Sequence, residues 1–69
     1  MTKQSSFFDI VPPEQGAHRV RVDISKLSHQ VYLAIIDDGW WMAYGKTAKD
    51  AMDKVAKRYT RDTGTERAG

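Results

Sequence analysis

The sequence predicts an α+β fold: a three-stranded antiparallel meander, four-stranded if an N-terminal apolar segment joins it, followed by one C-terminal helix packed on one sheet face. Three observations predict it. Apolar residues recur at helical spacing from Thr47 to about Arg61, Asp38-Gly39 separates two β-rich runs, and residues 18–24 alternate strictly between polar and apolar. The chain has 69 residues and no cysteine, so it is read as one small domain without a disulfide framework. Packing or self-association must hold it together.

In chain order, residues 1–4 are expected to be disordered, and residues 5–62 form the domain. Phe7, Phe8, Ile10 and Val11 make an apolar patch that Pro12-Pro13 ends. Residues 5–13 are therefore read as an edge strand or as an arm folded across the sheet. In His18-Arg19-Val20-Arg21-Val22-Asp23-Ile24, the apolar residues Val20, Val22 and Ile24 share one side, and Arg19, Arg21 and Asp23 the other. The runs Gln30–Asp37 and Trp40–Tyr44 flank Asp38-Gly39, the pair that a type I′ hairpin turn favours because both central residues need positive φ. A two-residue loop sets Ile36 opposite Trp41, Ile35 opposite Met42 and Leu33 opposite Tyr44; a three-residue loop slips the register and exchanges Trp40 with Trp41. One of these rings is then core, packed near Met52 or Tyr59, and the other is exposed.

The helix is signalled by Ala48, Ala51, Met52, Val55, Ala56 and Tyr59 at i, i+3, i+4, i+7, i+8 and i+11. Thr47 with Asp50 has the form of a capping box, and Gly64 supplies the stop. Asp50 with Lys54 and Asp53 with Lys57 read as i, i+4 ion pairs on the wet side. Residues 63–69 are expected to be a disordered tail.

One helix seals one face of such a sheet. The opposite face is expected to carry Arg19, Arg21, Tyr32, Ala34, Ile36 and Trp41, which is too apolar to stand bare in water. Three covers suit it: the N-terminal arm, a second copy in a homodimer, or a foreign partner. Arginine interleaved with tyrosine and tryptophan fits both nucleic acid and a protein hot spot. Lys57, Arg58 and Arg61 near the helix C-terminus complement the helix dipole and also suit a phosphate contact.

The order strand, turn, strand and then Gly45-Lys46-Thr47-Ala48-Lys49-Asp50-Ala51 resembles the small sheet-plus-helix DNA-binding domains of plant ethylene-response factors and the amino-terminal domain of some phage-type integrases. It also looks like the strand-to-helix segment of HicB-type antitoxins. The resemblance covers about 30 residues and implies, at most, a small sheet-plus-helix binding fold. Of the ethylene-response outer-face pattern only Arg19, Arg21 and one tryptophan match, and no strand of the HicB kind is expected after the helix.

No catalytic constellation is legible. His18 and His29 stand at separate strand ends, and Asp37 and Asp38 are turn formers. The serines have no base at defined spacing. The glycines are dispersed rather than gathered into a phosphate loop. The expectation is therefore no enzyme, no metal and no cofactor. Overall charge is +2, with residues 1–45 at −1 and residues 46–69 at +3, a mild basic bias rather than a nucleic-acid tail. The absence of a long apolar run or leader suggests a cytoplasmic protein without membrane association. The function expected is a small binding protein of a phage or mobile element that docks on and modulates a larger host or defence protein complex, an anti-CRISPR-type inhibitor included. The alternative is a small DNA- or RNA-binding regulator. The sites expected to bind either partner are Arg19, Arg21, Tyr32, Ile36, Trp41, Lys57, Arg58 and Arg61.

Overall fold

The computed structural model describes residues 2–14 and 16–68. Two long strands, β1 (Thr2–Glu14) and β2 (Ala17–Ser28), come first. They are followed by β3 (Val31–Ile36), a 3-10 turn at Asp37–Gly39, β4 (Trp41–Gly45), α1 (Ala48–Thr63) and the two-residue β5 (Glu66–Arg67). All neighbouring strands pair antiparallel, in the order β4-β3-β2-β1-β5. The α+β class, the antiparallel sheet and the C-terminal helix agree with the sequence. The expected count of three or four strands is too low, because five are present.

The fifth strand arises where a disordered tail was expected. Gly64 adopts the left-handed conformation (φ 73°) that closes α1, and its N–H and that of Thr65 both reach Thr60 O. The chain then turns back, so that Glu66 and Arg67 lie opposite Val11 and Ile10, and Ala68 N–H donates to Asp9 O at 2.8 Å. At the other end, Lys3 and Gln4 extend β1 beside β2 rather than hanging free. Met1 and Gly69, also expected to be disordered, lie outside the described residues. Residues 5–13 form part of strand β1 rather than an arm: it pairs with β2 on one side, β5 covers only Ile10 and Val11 on the other, and the prolines fall where it parts from β2.

The helix forms as its pattern predicts. Thr47 Oγ1 accepts from Asp50 N–H at 3.0 Å, while the Asp50 carboxylate accepts from Lys46 N–H at 3.1 Å. Asp50 also pairs with Lys54. The second expected pair is replaced, because Asp53 bonds Arg67 of β5 at 2.7 Å instead of Lys57. Ala51, Val55, Ala56 and Tyr59 are buried against Phe8, Ile10, Val20, Val22, Ile24, Ala34, Ile36 and Ala43. Gly45 lets the helix sit this close: a Cβ there would overlap the Ala51 backbone nitrogen and come within 2.8 Å of Ala51 Cα.

The β3–β4 register is the expected one, with Ile36 opposite Trp41, Ile35 opposite Met42 and Leu33 opposite Tyr44. Asp38 (φ 57°) and Gly39 (φ 104°) supply the left-handed turn, closed by Trp40 N–H to Asp37 O. The join between β2 and β3 is different. Ser28 pairs with Val31, but the next pair is Lys26 with Tyr32, leaving Leu27 as an extra residue. That bulge shifts the pairing by one, and a shift of one exchanges faces. Ile24 therefore opposes Ala34, and Tyr32, Ala34, Ile36 and Trp41 lie on the helix side with Val20, Val22 and Ile24.

The expected composite face is corrected accordingly. Tyr32, Ala34, Ile36 and Trp41 share the covered side, whereas Arg19 and Arg21 are on the opposite one with Leu33, Ile35, Met42 and Tyr44.

Candidate functional site

The side of the sheet without a helix falls into two halves. On β1 and β2 it is a charged lattice. Arg19 Nε bonds Asp9 Oδ1 at 3.2 Å, and Arg21 bonds both Asp23 Oδ1 and Ser5 Oγ at 3.2 Å. Ser5 hydroxyl completes the triangle by donating to Asp23 at 3.3 Å. These cations already have carboxylate partners, so their fields largely cancel at short range. Phe7 stands exposed among them, with the Arg19 guanidinium 6.0 Å from its ring.

On β3 and β4 the same side is apolar. Leu33 and Ile35 face Tyr44 and Met42 across the ladder, with Met42 47% and Tyr44 60% exposed, and Val31 is exposed at the start of β3. Among the described residues no element of the fold lies over them. Trp40, at the hairpin tip, is 77% exposed, with its ring edge-to-face on that of Trp41 at 6.3 Å between centres. Trp41 lies on the helix side, against Tyr59 at 4.8 Å between ring centres, and donates Nε1–H to Asp62 Oδ2 at 3.0 Å. The accessible tryptophan is therefore Trp40. Its position was legible only as one member of a pair whose roles depended on the hairpin loop.

β4 is also an outer edge of the sheet. Along an antiparallel strand, N–H and C=O of alternate residues point to opposite edges. Met42 O points outward, because it accepts from Arg58 Nη1 at 2.6 Å, so the main-chain groups of Tyr44 point outward as well. Arg58 belongs to a stripe of cations, Lys54, Lys57, Arg58 and Arg61, at i, i+3, i+4 and i+7 on one flank of α1, and they line one shallow groove. Asp50 and Asp62 neutralise part of the stripe through Lys54 and Arg61. Among the described residues Lys57 has no ion-pair partner.

The expected site residues are thus dispersed. Tyr32 packs near Lys26 at the far end of β3, and Ile36 is core. Arg19, Arg21, Ile36 and Trp41 do border one notch, where β3 stops and β2 continues, but Asp23, Asp37 and Asp38 share its walls. Lys57, Arg58 and Arg61 stay together. Compared with protein-family models, curated proteins and solved structures, the chain matches none.

Titratable chemistry is sparse. The Lys46 N–H, and secondarily the Lys54 ammonium, hold the Asp50 carboxyl below the ordinary aspartate value. Among the described residues no group of three or more His, Asp or Glu is arranged to hold a metal ion. No helix there is long and apolar enough to cross a membrane. The strand after the helix, absent from the sequence reading, is the two-residue β5.

Proposed function

We propose that this protein is a non-enzymatic binding module that docks on a larger protein, such as a host or defence complex, through the apolar half of its open sheet face, and modulates that partner by occupying it. One observation carries the reading. Leu33, Ile35, Met42 and Tyr44 form a contiguous apolar and aromatic surface on a side of the sheet that, among the described residues, no helix covers. Tyrosine and methionine are among the residues that protein interfaces favour at their centres. The adjoining lattice of Arg19, Asp9, Arg21 and Asp23 resembles the polar rim of such an interface.

The nucleic-acid alternative draws less support. It calls for free cations beside stacking rings, whereas Arg19 and Arg21 are engaged by carboxylates and the basic stripe of α1 lies on the other side of the sheet from Tyr44.

A photo-cross-linking residue in place of Leu33, introduced in the native host cell, tests the reading. The expected adduct is a specific protein of different sequence, lost when Met42→Ser and Tyr44→Ser are combined in a chain that still unfolds cooperatively. Adducts only to nucleic acid, or only to other copies of this chain, overturn it.

A further inference from the structure

β4 has two unlike flanks. On the open side stand Met42 and Tyr44. On the helix side, beyond Trp41 and Ala43, rises the cationic stripe Lys54, Lys57, Arg58 and Arg61, tied to the strand itself by the bond from Arg58 to Met42 O. Between these flanks run the outward N–H and C=O groups of the edge, which are a template for a further strand.

We propose that the β4 edge accepts an extended segment of the protein partner, one in which apolar and acidic residues alternate. The inference deepens the protein-binding reading and rests on it. A strand added to β4 presents successive side chains to opposite faces. Its apolar residues continue the surface of Met42 and Tyr44, and its carboxylates fall on the helix side, toward Lys54, Arg58 and Arg61. In the free chain Arg58 stands in for the missing strand by donating to Met42 O. When the strand arrives, its own N–H takes that carbonyl and the guanidinium turns to a carboxylate, a stronger charge-assisted partner.

Charge also selects against a second copy of this chain. Pairing β4 with its own duplicate about a two-fold axis sets two cationic stripes side by side, and like charges brought together oppose association. A foreign acidic strand meets no such penalty.

The probe is a labelled seven-residue peptide alternating valine and glutamate, compared with its valine–lysine counterpart, both at low and at moderate salt. The glutamate peptide is expected to bind, to shift the backbone amide resonances of Met42 and Tyr44, and to protect Tyr44 N–H from exchange. Its affinity should fall roughly tenfold when Lys54, Lys57 and Arg61 are all changed to Gln, as three exposed charge contacts of modest strength imply. A glutamate analogue with a central proline should not bind, because it cannot complete the ladder. Equal binding of the lysine peptide, or amide shifts confined to β1 and β2, overturns the proposal. So does a single-stranded oligonucleotide that binds the stripe and displaces the glutamate peptide, or a β4-to-β4 dimer seen by sedimentation and exchange. If the peptide series fails while the Leu33 cross-link to a protein persists, strand addition falls and the protein-binding reading stands; if no protein cross-links at Leu33, the protein-binding reading falls and strand addition by a protein partner falls with it, even where the peptide binds.

Discussion

The two faces of this sheet are woven from the same strands, often from adjacent residues, yet they obey opposite rules. Ile10 is 2% exposed and its neighbour Val11 56%. Ala43 is buried under α1, and Tyr44 beside it projects into solvent. The covered face is close-packed and fully apolar at its centre. The open face pairs its charges on β1–β2 and leaves β3–β4 apolar. Hydrophobicity alone therefore does not mark the core of this protein. A residue is interior when its parity places it under the helix, and the apolar residues of opposite parity are free to do something other than hold the fold together.

The sharpest way to break that comparison is the neighbouring pair itself. Ile10→Ala is expected to cost about 3 kcal/mol, as a large-to-small change in a sealed core does, whereas Val11→Ala should stay within about 0.5 kcal/mol. Urea unfolding of the two variants measures both. Equal losses would mean that the open face also carries the fold's stability. In so small a domain the first variant has little reserve, so its transition should shift far toward zero denaturant.

A second test addresses how tightly the covered side closes. Gly45→Ala forces a methyl against the Ala51 backbone, which cannot move without disturbing the Thr47 cap and the first turn of α1. A loss of about 2 kcal/mol is expected from overpacking of this kind. Tyr44→Ala, one residue earlier on the open side, should leave the thermal midpoint nearly unchanged. A Gly45→Ala chain as stable as its parent would show that α1 can stand off from β4.

The smallest effect concerns Asp50. Its carboxyl pKa is lowered in the folded state, first by the Lys46 N–H and then by Lys54. The folded chain therefore binds this proton more weakly than the unfolded one. The stabilisation is complete above the ordinary aspartate range, near pH 4, and is lost as pH falls through the lowered folded value. Thermal midpoints of the parent and of Asp50→Asn should differ slightly at neutral pH and converge in acid. A gap that widens in acid would contradict the assigned direction.

How much of this was legible follows from where each signal resides. The helix from Thr47 to Gly64 wrote its apolar stripe, cap and stop into consecutive residues, and the β3–β4 register followed from Asp38-Gly39. β5 had no such signature, since Glu66 and Arg67 are held by main-chain pairing and by the bond from Arg67 to Asp53, which competes with the local Lys57. The candidate surface was half legible. An uncovered apolar face could be anticipated from one helix against one sheet. Its membership could not, because the parity between β2 and β3 depends on a bulge at Leu27 that no residue preference announces. Arg58 was singled out for its charge, but its bond to Met42 O depends on how the helix lies along β4.

The extra residue at Leu27 also constrains how this gene can change. Removing that one codon would restore even pairing in the β2–β3 hairpin and turn β3 and β4 over relative to β2, bringing Leu33, Ile35, Met42 and Tyr44 inward and sending Ala34, Ile36 and Trp41 out. Length variation in this hairpin must therefore come two residues at a time if the same surface is to survive. A relative that had lost a single residue here could keep most of the sequence while presenting a different surface to its partners.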